Sequence, residues 1–250
     1  MGRAFEFRKE RKLKRWGHMA KTFTKIGKEI TIAVKQGGPD VVGNSRLRAL
    51  MAEARSENMP KDNVEKAIKR ALEKNQGDFK EVVFEGYGPH GIAYLVETAT
   101  DNNTRTVANV RSYFTKCGGS LGTSGSVSFM FDHKCVFRIK YQEGMDIDEL
   151  QLALCECDDD PEVFIEEQED KDENITKNVV IYGAYESYGA IQKYIEDNGY
   201  ELVSGGFERI PNVELKDVTP EQRETLDKLT GLLEDDDDVT NVYSTLKPEE

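Results

Sequence analysis

The spacing of apolar residues in this 250-residue chain is purely helical up to Gly77 and alternates between strand and helix periods beyond it, and that change limits what it can fold into. Before it the repeat is helical. Over residues 21–36, a step of about 100° per residue gathers Phe23, Ile26, Ile30, Ala33 and Val34 on one side. Gly37-Gly38-Pro39 ends this segment, because glycine accepts a left-handed C′ conformation and proline cannot continue the hydrogen-bond ladder. A second segment opens at Asn44-Ser45, both good N-caps, and runs to Arg55 with Leu47, Leu50, Met51 and Ala54 as its apolar face. A third follows Pro60, with Val64, Ala67, Ile68, Ala71 and Leu72 as the inner stripe and Lys66, Lys69, Arg70 and Lys74 outside. Three amphipathic helices make a small helical domain, and Asn75-Gln76-Gly77-Asp78 is its exit linker.

Beyond the linker the period drops toward 2. Strands are expected over 92–98 and 126–131 with a helix over 104–116 between them. Strand 135–140, helix 146–154, strands 163–166 and 178–182, helix 186–198 and strand 200–204 then follow in a complete β-α-β-β-α-β order. Strand 207–215, helix 219–233 and strand 239–245 can close the unit left unfinished at residue 131. The expected fold class is therefore α+β in three domains. An N-terminal three-helix domain (1–76) precedes two ferredoxin-like α+β domains, the third (133–206) inserted in the second (77–132 plus 207–250).

Charge divides the chain at the same place. The first 75 residues hold nineteen Lys/Arg against nine Asp/Glu, a net +10, whereas the other 175 hold fifteen against thirty-eight, a net −23. A polyanion is repelled by most of such a molecule and drawn to one end of it. Within that end, residues 2–35 carry eleven cations and only Glu6, Glu10 and Glu29 as acids, with Phe5, Phe7, Trp16 and Phe23 among them as rings able to stack on unpaired bases. Arg3, Arg8, Lys9, Arg11, Lys12, Lys14, Arg15, Lys21, Lys25, Lys28 and Lys35 are the candidate phosphate contacts. No apolar run approaches the ~20 residues that cross a bilayer, and the basic start lacks the apolar stretch of a secretory signal.

Other motifs have plainer readings. Gly86-Tyr-Gly88-Pro-His-Gly91 fits the dinucleotide fingerprint but is followed by strand residues where that fingerprint needs a helix, so a turn between strands is expected. The glycine-rich run 118–126 lacks a phosphate-reaching lysine. Asp101-Asn-Asn-Thr104 is a cap cluster, beside which Arg105 and Arg111 could touch a phosphate. Asp158-Asp159-Asp160 and residues 234–238 read as solvated acidic loops. His18, His90 and His133 make no catalytic or metal-ligand spacing, and Cys117, Cys135, Cys155 and Cys157 match neither a disulfide framework nor a zinc ribbon, which fits a reducing compartment.

Longer stretches carry a family resemblance. Phe23-Thr-Lys-Ile-Gly-Lys-Glu-Ile30, Gly37-Gly38, Asn44-Ser-Arg-Leu-Arg48, the run from Asn58 to Arg70, Phe84-Glu-Gly-Tyr-Gly-Pro-His-Gly91 and Thr98-Ala-Thr-Asp-Asn-Asn-Thr-Arg105 resemble the YebC/PmpR family, which includes a mitochondrial translational activator. The chain departs from many members at its start, where Gly2-Arg-Ala-Phe-Glu-Phe-Arg8 stands in place of a Gly-His-Ser-Lys-Trp type of opening. The resemblance implies the same three-domain fold and a cytoplasmic protein without catalytic activity. Members have been described both as DNA-binding transcriptional regulators and as ribosome-associated translation factors. The expectation is a DNA-binding regulator of transcription that uses its basic helical domain; the alternative is a translation factor laying the same surface on ribosomal RNA. No cofactor, metal, membrane or small-molecule substrate is expected.

Overall fold

A computed structural model of the chain describes the backbone of residues 3–73, 79–169 and 175–248 and the side chains of residues 19–73, 79–167 and 177–248. The first helix, α1 (Arg3–Gly37), has 35 residues and is about 50 Å long. It starts well before the expected residue 21. Residues 3–20 contain no proline and are mostly Arg, Lys, Glu, Ala, Leu and Met, all strong helix formers, with Gly17 alone among the poor ones.

Helices α2 (Ser45–Ser56) and α3 (Lys61–Leu72) both pack on α1 far more than on each other. Ile26, Ile30, Ala33 and Val34 meet Leu47, Leu50, Ala54, Val64 and Ala67 in one buried cluster, as the helical spacing predicts. Leu72, expected on the inner stripe, is 59% exposed, since α3 ends at that residue. Asn44 joins the helices: its Oδ1 accepts from the Leu47 N–H (3.0 Å), and its Nδ2 donates to the carbonyls of Ala33 (2.8 Å) and Gly38 (2.9 Å). Gly37 must lack a side chain, because a Cβ there would lie 2.7 Å from the Asn44 amide.

Two four-stranded antiparallel sheets follow. The first contains β1 (Lys80–Tyr87), β2 (Ala93–Thr100), β3 (Ser120–Leu121) and β8 (Val239–Ser244) in the order β3-β1-β2-β8. Helices α4 (Asn103–Lys116) and α7 (Pro220–Glu234) share its core, where Val110 and Phe114 meet Leu226, Leu229 and Leu233. The second contains β4 (Phe131–Lys140), β5 (Glu162–Glu169), β6 (Ile175–Ala184) and β7 (Leu202–Pro211), with α5 (Ile147–Leu154) and α6 (Tyr188–Asp197). Its order, β5-β6-β4-β7, is the ferredoxin-like arrangement expected from β-α-β-β-α-β. All its strands fall, in sequence, between β3 and β8.

The first sheet departs from that pattern by opening with the hairpin β1–β2, whose turn is the one expected between strands at Gly86–Gly91, although the bounds of β1 were not foreseen. Within β1, Glu85 is a buried carboxylate that accepts the N–H groups of Gly125 (2.7 Å), Val127 (2.7 Å) and Ser128 (2.8 Å). The same contact replaces the strand expected over 126–131 by a loop and a short 3-10 turn, Ser128–Met130. Burial alone would raise the pKa of Glu85, yet these backbone donors hold it below its ordinary value. The strands expected over 200–204 and 207–215 meet in the single strand β7, which leaves residues 200–201 and 212–215 outside any strand, so the division expected between residues 206 and 207 falls inside β7, with Phe207 opposite Cys135.

Gly86 lies in β1, opposite Tyr94 and Leu121, and Gly88 opens the turn after it. A Cβ on Gly86 would meet the Ser120 carbonyl at 2.8 Å and one on Gly88 the Tyr94 ring at 2.8 Å, so close packing explains both glycines. The helical domain touches both sheets: α1 lies against β2 and β8, while α2 lies against β7 and adds Ala49 to the second sheet's core.

Candidate nucleic-acid interface

Seven of the eleven cations singled out above, Arg3, Arg8, Lys9, Arg11, Lys12, Lys14 and Arg15, lie on the first turns of α1; their side chains are outside the described residues, as are those of Phe5, Phe7, Trp16 and His18. Lys35 is exposed in the last turn of α1. The remaining three are engaged within the protein, Lys21 and Lys28 by carboxylates and Lys25 by a backbone carbonyl.

Those partners are at the C-terminal end of α7, more than 200 residues away. The Lys21 ammonium donates to the Asp235 carboxylate (2.8 Å) and carbonyl (3.2 Å), and Lys25 donates to the Glu234 carbonyl (2.7 Å). Lys28 donates to the Asp237 carbonyl (2.7 Å) and to the Asp238 carboxylate (2.7 Å). Spacing of four and then three residues puts the lysines on one face of α1. They meet the end of α7 at which unpaired carbonyls and the helix dipole are both negative.

The acidic loop is anchored on its other side too. Asp236 accepts from the Tyr113 hydroxyl (2.9 Å) and the Asn109 amide (3.1 Å), and Asp238 accepts from Arg105 (2.6 Å) and Thr106 (2.9 Å). Asp238 is only 5% exposed, so the expectation of a solvated acidic run over 234–238 fails at its last residue, and Arg105 is engaged as well. Asp158 likewise is buried and accepts from the Ala184 and Asp160 N–H groups. Burial pushes the Asp238 pKa upward, but donation from Lys28, Arg105 and Thr106 prevails and holds it below its ordinary value. The Asp235 contact raises the Lys21 pKa, while burial lowers that of Lys25.

A different arrangement is found on α3. Lys61, Lys66, Lys69 and Arg70 are exposed and make no ion pair among the described residues; Lys74 is outside them.

Where the three domains meet there is a cavity of about 490 Å³ lined by five carboxylates, Glu29, Glu53, Glu81, Glu97 and Glu208, against three guanidiniums. Each of those guanidiniums is neutralised: Arg46 pairs with Glu81, Arg209 with Glu97 (3.0 Å), and Arg138 with Glu166 (3.3 Å) and Glu208 (3.4 Å). Burial, then the charge of Glu53, pushes Glu29 up to about 8. With its guanidiniums already paired, this surface offers them to no phosphate without breaking an ion pair. His133 is stacked on Tyr185 here, its pKa lowered by burial and by Arg209. Cys135 is buried and its thiol pushed up to about 12, so it has the character of a core residue. Among the described residues no His, Cys, Asp and Glu side chains gather as a metal site, and no helix is long and apolar enough to cross a membrane.

Comparison with known proteins covers nearly the whole chain. Residues 3–74 match the TACO1/YebC protein N-terminal domain, and residues 79–246 match the TACO1/YebC second and third domain. A protein of Parabacteroides distasonis named "Probable transcriptional regulatory protein" is 59% identical over 250 residues, covering 100% of this chain and 98% of its own length. Proteins of the same name from Bacteroides thetaiotaomicron (58% identical, 100% and 98% covered) and Flavobacterium johnsoniae (56% identical, 100% and 100% covered) are similar to it. The crystal structure of a conserved hypothetical protein from Aquifex aeolicus superimposes with a TM-score of 0.74 at 32% identity, covering 92% of this chain and 91% of that one. Matched in all of its domains and along its whole length by relatives of the same plan, the chain belongs to the TACO1/YebC family.

Proposed function

We propose that the protein is a cytoplasmic, non-enzymatic regulator of transcription that binds DNA through its helical domain. Arg3, Arg8, Lys9, Arg11, Lys12, Lys14, Arg15 and Lys35 meet phosphates, and Lys21, Lys25 and Lys28 join them only by leaving the end of α7. The observation that carries this reading is the net +10 of the first 75 residues against −23 for the rest. The names of the relatives point the same way. If about six cations engage phosphates, log affinity falls against log salt with a slope of roughly −5. Retardation of a promoter fragment and of random DNA across a salt series tests it; binding indifferent to salt would sink it.

A second reading is favoured by the packing of the helices. Because α2 and α3 pack on α1 and scarcely on each other, the domain lacks the paired helices that set a recognition helix in the major groove. In this reading the same basic surface lies on ribosomal RNA, and the protein acts in translation. Sedimentation with ribosomes at moderate salt separates the two.

A further inference from the structure

An open groove of about 620 Å³ runs between α1 and α3. Its apolar lining includes Phe23, Met59 and Phe79, the two rings partly exposed, and one ring already carries a cation: the Lys28 ammonium stands 5.5 Å from the Phe79 centroid. Lys66, Lys69 and Arg70 line it as well, at positions three and four residues apart that share one face of α3. Unlike Lys21, Lys25 and Lys28, these three cations make no ion pair or hydrogen bond among the described residues. Among the described residues, Glu73 is the one carboxylate lining the groove.

Unpaired cations beside accessible rings match the requirements of a nucleic-acid strand whose bases are free. Phosphates are held by the charges, and an unpaired base has a face to lay on an aromatic ring, whereas a duplex keeps its bases stacked inside. We propose that the α1–α3 groove is a binding site for single-stranded nucleic acid, with Lys66, Lys69 and Arg70 on the phosphates and the Phe23 and Phe79 rings receiving a base. The proposal rests on the reading of the helical domain as a nucleic-acid contact and adds to it a location and a strand state. It also makes α3, which the charge of α1 overshadows in the sequence, a contact in its own right.

The test is fluorescence anisotropy of the full chain with a labelled strand of about 12 nucleotides, as RNA, as DNA and as the DNA duplex of the same sequence. The variants are K66E/K69E/R70E, the milder K66Q/K69Q/R70Q, Phe79→Ala, and the arm variant R8E/K9E/R11E/K12E. The three charges on α3 are exposed, and equal urea midpoints for the α3 variants and the parent show that the fold is intact. Removing the α3 charges is expected to weaken single-strand binding about tenfold or more and to make the salt slope shallower by about 2. Phe79→Ala is expected to weaken single strands about tenfold while leaving the duplex unchanged. Comparison of the RNA and DNA strands identifies which chemistry is preferred. Loss of binding in the arm variant alone, with both α3 variants unaffected, would overturn the groove and leave the wider reading standing. Tighter binding of the duplex than of either strand would overturn the strand state. Failure of the parent chain to bind any of the three would overturn both readings.

Discussion

Replacing Asp238 with alanine should cost about 3–5 kcal/mol of stability at neutral pH, the range found when one partner is removed from a buried ion pair. The structure places Asp238 in that class. Its side chain is 6% exposed and that of Lys28 is 11% exposed, so the variant leaves the Lys28 ammonium deprived of its carboxylate and poorly hydrated. It also strips an acceptor from Arg105 (2.6 Å) and from the Thr106 hydroxyl (2.9 Å), loosening α4 from α7. By contrast the Lys21–Asp235 pair, 40% and 78% exposed, contributes at most about 1 kcal/mol. In a chain of this size 3–5 kcal/mol corresponds to a fall in Tm of about 10 °C, readable by calorimetry or circular dichroism. A second change provides the control. Adding Lys28→Met to Asp238→Ala removes the stranded ammonium and should return about 1–2 kcal/mol. The pH dependence has a fixed sign. Because the folded-state pKa of Asp238 lies below its ordinary 3.8, its contribution is complete above that value and disappears as pH falls through the lower, folded one. The gap between parent and variant should therefore be full at pH 7 and close in strong acid. A loss below about 1 kcal/mol at pH 7, or a double variant no better than the single one, would refute the reasoning.

Three further outcomes are expected. Glu29, pushed up to about 8 by burial and by Glu53, keeps its proton in the folded protein at pH values where the unfolded chain has lost it, so stability falls between about pH 4.5 and 8. Glu29→Gln should flatten that slope and raise stability at pH 8 by about 2–4 kcal/mol in urea titrations, a difference that vanishes near pH 4. Glu85→Gln weakens three charge-assisted bonds and should cost about 1–3 kcal/mol, with faster amide exchange at Gly125, Val127 and Ser128 as its local signature. Of the four thiols, exposed Cys155 should alkylate first, and buried Cys135 only on unfolding; equal rates for the two would contradict the described core.

Much of the fold was legible because it is written in local patterns. Asn44 and the Thr219–Gln222 capping box announce helix starts, and the β-α-β-β-α-β order of the second sheet follows from alternation alone. Where the reading failed, a distant partner had overruled the local signal. The strand expected over 126–131 gives way because the N–H groups of residues 125–128 turn to Glu85 in β1, and the boundary near residue 206 disappears once β4 supplies one continuous edge for β7 to pair with. The basic face was less legible still. Lys21, Lys25 and Lys28 have the period of a solvated helix surface, and nothing within 200 residues reveals that α7 will meet them. Lys66, Lys69 and Arg70, by contrast, stay as exposed as their spacing on α3 suggested.

The end of α7 also changes how the chain's charge should be counted. A nucleic acid holds condensed cations along its phosphates, and their release when a lysine takes their place drives binding. Lys21 and Lys28 already have fixed counterions, the carboxylates of Asp235 and Asp238. Trading such a partner for a phosphate exposes a carboxylate beside the incoming strand, and that negative charge retains cations there and offsets part of the release. The salt dependence of nucleic-acid binding will therefore register the arm of α1 and the face of α3 more fully than it registers Lys21 and Lys28. The number of ions released is accordingly smaller than a net +10 would suggest.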